Sequence, residues 1–201
     1  MSKKADKEKA NSKLSKKKDI GKMKILILNG NPKADYVEFD SYIEELKQSL
    51  GHKSHEAKNI MLRNLQLHDC IGCYTCWLKT PGVCCFNDGI EDILKEYLAA
   101  DVVILASPII MYYVSALLKR VNDRLLPFGH PFLVLRDNRM AHVPRYSHYP
   151  KTTLLLDNQE EFNRESLELI EMVYKNSVRG LAKIWSTKQD VEEITDEVVN
   201  I

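Results

Sequence analysis

The stretch Met23-Lys24-Ile25-Leu26-Ile27-Leu28-Asn29, closed by Gly30-Asn31-Pro32, decides how the chain folds. Its hydrophobicity is continuous rather than alternating, which is the pattern of a strand buried on both faces of a parallel sheet. Asp101-Val102-Val103-Ile104-Leu105-Ala106, closed by Ser107-Pro108, repeats the pattern, and Thr152–Leu156 repeats it again. Weaker strand signals lie at Lys58–Leu62 and Leu181–Trp185. Helical periodicity separates these runs. Ser41 and Glu44 have capping-box spacing ahead of Ile43, Leu46 and Leu50, with Gly51 as the stop. Asp88 is placed to cap a helix whose apolar stripe is Ile90, Ile93, Leu94, Tyr97 and Leu98. Val114, Leu117, Leu118, Val121 and Leu125 form another stripe that ends near Pro127, and Phe162–Val173 forms one with Leu169, Ile170 and Val173 turned inward. Strands alternating with helices in this way predict an α/β fold: a three-layer open parallel sheet with helices on both faces. Residues 128–151, with Pro131, Pro144 and Pro150, read as a long irregular excursion.

The chain has 201 residues and a net charge of +1, with 44% hydrophobic and 28% charged residues, which suits a single globular domain. Residues 1–22 hold nine Lys against Asp6, Glu8 and Asp19, a surplus of six positive charges, so residues 23–201 carry −5. The first segment therefore reads as a disordered Lys-rich tail and the second as the folded domain. A mildly acidic domain gives no electrostatic case for nucleic-acid binding. With no apolar run of about 18 residues and no signal-like segment, the expectation is a cytoplasmic protein with reduced thiols.

Those thiols are concentrated. All five cysteines fall within residues 70–85, as Cys70-x-x-Cys73-x-x-Cys76 followed by Cys84 and Cys85. Such spacing lets several sulfurs converge on one small object, as in ferredoxin-type loops. A [4Fe-4S] cluster, a zinc ion and no metal all remain compatible with it. In open parallel sheets, ligands bind beyond the carboxyl ends of the strands where the strand order reverses. Two loops answer to that position. In Asn29-Gly30-Asn31-Pro32-Lys33, running on to Ser41, glycine allows close approach and Lys33 supplies charge for an anion. In Ser107-Pro108-Ile109-Ile110-Met111-Tyr112-Tyr113, apolar and aromatic residues could floor a flat ring. Neither loop matches G-x-G-x-x-G or the Walker phosphate loop, and no G-x-S-x-G elbow supports a hydrolase.

Taken together, these motifs resemble a known family. An N-terminal strand is followed by Asn-Gly-Asn-Pro-Lys, the cysteine run, Asn87-Asp88, Ser107-Pro108-Ile109, and Leu118-Lys119 leading to Asp123-Arg124. Over residues 23–127 the order is similar to that of the flavodoxin-like, NADPH-dependent FMN reductases, particularly the branch of iron–sulfur flavoproteins. The resemblance implies FMN as cofactor, with Asn31, Lys33 and Ser41 at its phosphate and Pro108, Ile109, Ile110, Met111 and Tyr112 along its ring. It implies NAD(P)H as hydride donor, a small-molecule or protein electron acceptor, and a homodimer or homotetramer. In the iron–sulfur branch, Cys70, Cys73, Cys76 and Cys84 would hold a [4Fe-4S] cluster, with Cys85 as a substitute ligand. The phosphate loop departs from the family in carrying Asp35, Glu38 and Asp40, so either FMN affinity is low or these side chains turn away from the bound dianion. The expected activity is FMN-dependent NAD(P)H oxidation. The alternatives are an electron carrier using a cluster, or a metal-binding or interaction protein on the same scaffold.

Overall fold

A computed structural model describes residues 21–136, 138–157, 164–177 and 181–201. The expected tail, apart from its last two residues, lies outside the described residues, as does the first part of the helix expected from Phe162. Eight strands and six α-helices are described: β1 Lys24–Asn29, α1 Val37–His52, β2 Glu56–Met61, α2 Thr75–Leu78, α3 Ile90–Ala99, β3 Val102–Ile110, β4 Tyr113–Val114, α4 Ala116–Asp123, β5 Gly129–Arg136, β6 Arg139–Pro144, β7 Lys151–Asp157, α5 Arg164–Ser177, β8 Leu181–Ser186 and α6 Val191–Val198. Five strands form a parallel sheet in the order β2-β1-β3-β7-β8, with the short β4 antiparallel to the end of β3.

The continuous apolar runs are explained by which residue faces which helix layer. Ile25, Ile27, Val102 and Ile104 pack with Phe39, Ile43, Leu46 and Leu50 of α1 and Val191, Ile194 and Val198 of α6. Their sequence neighbours Leu26, Leu28, Val103 and Leu105 turn to the other face, against Ile90, Ile93 and Tyr97 of α3, Leu118 and Val121 of α4, and Ile170 and Tyr174 of α5. A strand covered on both sides has no solvent face to make polar, so alternation vanishes. The three-layer arrangement expected from the sequence is therefore the observed one.

Several local expectations shift. Helix α1 begins at Val37 rather than beside Ser41, because Phe39 extends the buried stripe one turn earlier, and Ser41 sits exposed within the helix. Strand β3 runs through Pro108 to Ile110. The irregular excursion is an antiparallel hairpin, β5–β6, with exposed Phe132, Leu133, Leu135 and Met140. Leu169 faces solvent on α5. Helix α6 had a legible signal, Asp190 as N-cap followed by Val191, Ile194 and Val198 at helical spacing.

Candidate functional site

The sheet order places the reversal between β1, which continues to β2, and β3, which continues to β7. The loops after β1 and β3 consequently lie side by side at the carboxyl edge. Between them opens a cleft of about 290 Å³ lined by Asn31, Pro32, Lys33, Asp35, Tyr36, Pro108, Ile109, Ile110 and Asp157. One wall is apolar, made by the last three residues of β3. Lys33 and Tyr36 also line the cleft; Tyr36 immediately precedes the 16-residue α1, whose N-terminus no side chain caps. Its first amide groups thus keep donors for an anion.

The first loop is held rigidly. The Gly30 amide donates to the Ala106 carbonyl at 2.8 Å, tying the loop to β3. A Cβ at Gly30 would lie 2.8 Å from Ser115 Oγ and 2.9 Å from Leu118 Cβ, so close approach of α4 requires glycine here. Asn31 is fully buried, and its side chain is committed within the protein: Nδ2 donates to the Tyr36 carbonyl and to Asp40 Oδ1, and Oδ1 accepts from the Lys33 amide. It shapes the loop, and its own amide donates to Asn29 Oδ1 at 2.9 Å.

Asp40 is turned away from the cleft, as an anion there requires. Its carboxylate pairs with Arg63 at 2.8 Å and accepts from Asn29 and Asn31. Burial pushes its pKa upward, but the hydrogen bonds from Arg63, Asn29 and Asn31 outweigh that and hold it below the ordinary value. Asp35 does line the cleft, and so does Asp157, which accepts hydrogen bonds from Tyr36 Oη and Thr187 Oγ1. Burial, and then that contact with Asp157, raises the Tyr36 phenol. Of the residues expected around a flavin, the structure brings together Asn31, Lys33, Pro108, Ile109 and Ile110. It leaves out Ser41, and it leaves out Met111 and Tyr112, which form a left-handed turn and are 90% and 65% exposed. Tyr36 and Asp157 were missed from sequence; the position of Asp157 at the carboxyl end of a buried strand was the available clue.

A second site lies on the same edge, after the neighbouring strand β2. All five cysteines line one small cavity of about 20 Å³, together with Phe86 and Arg124. Trp77 on α2 anchors the loop: it donates to the Leu126 carbonyl at 2.9 Å and its ring packs against His142 of β6. Arg124, 1% exposed, lies over the Phe86 ring and donates to Asp88 (2.5 and 3.0 Å), to the His68 carbonyl and to Cys84 Sγ at 3.2 Å. Burial favours the protonated form of Asp88, but Arg124, the amide and ring of His68, and the Ile90 amide hold its carboxyl well below the usual carboxylate range. Arg124 thus joins Asn87-Asp88 to Asp123-Arg124, two sequence motifs far apart in the chain, at a cysteine sulfur.

The thiols differ. Hydrogen bonds from Thr75 and then Cys85 pull the exposed Cys73 down to about 7, while its partner Cys85 is pushed up to about 11 by the same contact. Burial raises Cys76. The donor set suits iron–sulfur or zinc chemistry, but the cavity is near the size of one water. Among the described residues no group of three or more His, Cys, Asp or Glu is arranged to hold a metal ion. The Cys73 and Cys85 sulfurs stand 3.4 Å apart, whereas a cubane takes one thiolate at each iron corner, so at most one of this pair can serve such a cluster as they stand.

The model of the NADPH-dependent FMN reductase family matches residues 23–143, which include both loops of the cleft, the cysteine loop and Arg124. The chain belongs to the NADPH-dependent FMN reductase family. Within it, the sequence is 33% identical over 105 residues to an iron–sulfur flavoprotein of Methanocaldococcus jannaschii, covering 52% of this chain and 53% of that protein. It is 30% identical over 108 residues to an iron–sulfur flavoprotein of Archaeoglobus fulgidus, covering 54% and 48%. The chain thus spans about half the length of these curated relatives. The fold also matches solved structures. An NAD(P)H:quinone oxidoreductase from Methanothermobacter marburgensis aligns over 89% of this chain and 95% of its own, with a TM-score of 0.57 and 14% identity. An FMN-dependent NADH-azoreductase from Bacillus anthracis, in complex with FMN, aligns over 88% and 95% with a TM-score of 0.55 and 12% identity. At these identities the structures establish the flavodoxin-like fold.

Proposed function

We propose that this chain is an FMN-dependent NAD(P)H oxidoreductase of the flavin- or quinone-reductase type. The observation that carries the reading is the cleft at the point of strand reversal, lined by Lys33, by Tyr36 at the uncapped start of α1, and by the apolar Pro108, Ile109 and Ile110. Its chemistry fits FMN. Lys33 and the first amides of α1 would hold the phosphate, and the apolar end of β3 would lie along the ring. When bound, FMN supplies hydride acceptance and release, which is the hard step of the reaction. The protein's own part is positional: Gly30 and Asn31 fix the loop, Arg63 neutralises Asp40, and Tyr36 donates to Asp157 and so shields that carboxylate from the anion. NAD(P)H would be a transient substrate, needing no nucleotide fingerprint of its own. A cytoplasmic setting belongs to this reading; among the described residues no helix is long and apolar enough to cross a membrane. A homodimer or homotetramer does too, supported by the exposed apolar side chains of the β5–β6 hairpin.

A second reading is favoured by one observation, the convergence of five thiols on a single cavity. In it, Cys70, Cys73, Cys76 and Cys84, or Cys85 in place of one, hold a [4Fe-4S] cluster, and the protein is an electron carrier. Anaerobic purification followed by a visible spectrum and iron and sulfide assays separates the readings. Flavin bands with NAD(P)H oxidation and no iron support the reductase. Iron and sulfide near four per chain support the carrier. A colourless protein that fails to take up added FMN overturns both.

A further inference from the structure

The five cysteines outnumber the four positions of a thiolate cage, and their geometry singles out a pair. Cys73 and Cys85 are both exposed and their sulfurs touch at 3.4 Å. The other three are held differently: Cys76 is buried, Cys84 accepts from the buried Arg124, and among the described residues Cys70 makes no hydrogen bond to another thiol. We propose that Cys73 and Cys85 form a reversible disulfide when the loop is free of metal, making this loop a thiol redox site distinct from the flavin cleft. The inference rests on the geometry of the pair and stands independently of the FMN reading.

The contact leaves little to rearrange. A disulfide needs its sulfurs about 2 Å apart, so the pair must close by little more than an ångström. Side-chain rotation can supply this because both residues face solvent. Gly72, beside Cys73, has open space where a Cβ would lie, so the backbone there is not wedged. Cys76 and Cys84 lack this freedom, since α2 and Arg124 hold them.

The oxidant is a hydroperoxide, here hydrogen peroxide. The exposed sulfur of Cys73 attacks one peroxide oxygen. An S–O bond forms, the O–O bond breaks, and the second oxygen leaves as water after taking up the thiol proton. The sulfur of Cys85 then attacks that sulfenic sulfur; the S–S bond forms, the S–O bond breaks, and the hydroxyl leaves as water with the Cys85 proton. Two thiols and one hydrogen peroxide give one disulfide and two waters. An external thiol returns the pair to the reduced state by exchange. While oxidised, the loop retains only Cys70, Cys76 and Cys84 as thiols, one short of a four-thiolate cage.

The test uses the full-length protein, reduced, desalted without oxygen and shown to be metal-free by elemental analysis. One equivalent of hydrogen peroxide is added, remaining thiols are alkylated, and tryptic peptides are analysed by mass spectrometry. Cleavage after Arg63, Lys79 and Lys95 separates residues 64–79, which hold Cys70, Cys73 and Cys76, from residues 80–95, which hold Cys84 and Cys85. The expected result is a fall from five alkylated thiols to three, with the two peptides joined through Cys73 and Cys85 and released by dithiothreitol. Cys85→Ser and Cys73→Ser, both at exposed positions, should each abolish the cross-link, while Cys70→Ser should keep it. Five thiols still alkylated, a bond mapped to another pair, or a cross-link that survives in Cys85→Ser overturns the proposal.

Discussion

Asp88→Asn removes the charge on which the cysteine loop depends. The side chain keeps its shape but only one acceptor oxygen, so it can serve either the His68 amide or the Ile90 amide, which bond to different oxygens of Asp88 at 2.7 and 3.3 Å. What disappears is the negative partner of Arg124, a guanidinium 1% exposed and hydrogen-bonded through both Nη atoms to that carboxylate. The remaining neighbours of Arg124 are a carbonyl, a thiol and an aromatic ring, none of them a full charge. Removing one partner of a buried ion pair costs about 3–5 kcal/mol, mostly as the penalty of an uncompensated buried charge. For a domain of this size each kcal/mol shifts the melting temperature by roughly 2–4 °C, so Asp88→Asn should melt roughly 6–20 °C below the wild type in calorimetry or circular dichroism. The pH dependence carries the same signature. Asp88 titrates lower in the folded protein than in the unfolded chain, so its contribution is complete above the unfolded carboxylate value of about 4 and fades as pH falls below it. The variant should therefore lose stability less steeply on acidification through that range. Asp88→Asn combined with Arg124→Met should regain much of the loss, since both charges are gone. A single variant within about 1 kcal/mol of wild type, with an unchanged acid limb, would refute the assignment of Arg124–Asp88 as the buried support of this loop.

Other perturbations address the cleft. Lys33→Gln should weaken FMN binding by roughly fivefold, the upper range for a solvent-exposed charge pairing, as read by quenching of flavin fluorescence, with little change in melting temperature. Gly30→Ala should destabilise the fold by about 1–3 kcal/mol through overpacking against Ser115 and Leu118, measured by urea denaturation. Ile109→Asp, placing a carboxylate on the apolar wall, should lower FMN affinity at least tenfold in the same fluorescence titration, while leaving peroxide-driven loss of the cysteine thiols unaltered.

Much of the architecture could be read directly because its cause is local. The runs from Ile25 to Leu28 and from Val102 to Ala106 are apolar at every position, and only a strand covered on both faces asks for that. Helices α3 and α4 show their buried stripes at the required period, with small shifts at their ends. The hairpin β5–β6 was illegible because its side chains are largely exposed, and without a buried face no alternation is imposed on the sequence. The cleft was half legible. Lys33 and Pro108–Ile110 follow from strand ends, whereas the enlistment of Asp157, more than a hundred residues from Tyr36, depends on β7 lying beside β3.

The same division holds for the cysteines. Sequence alone determined that five thiols share one loop, because spacing along the chain is a property of the chain. It equally determined that the loop after β1 ends a buried strand and carries a lysine three residues after a glycine. Which thiols touch, which is sheltered and which is held by a cation were decided only by tertiary structure. Arg124 comes to Cys84 from a helix end 40 residues away, and Cys85 meets Cys73 only because the turn through 80–83 folds the loop back on itself. Contacts between distant segments depend on the packing of whole elements, and no local pattern of residues encodes them.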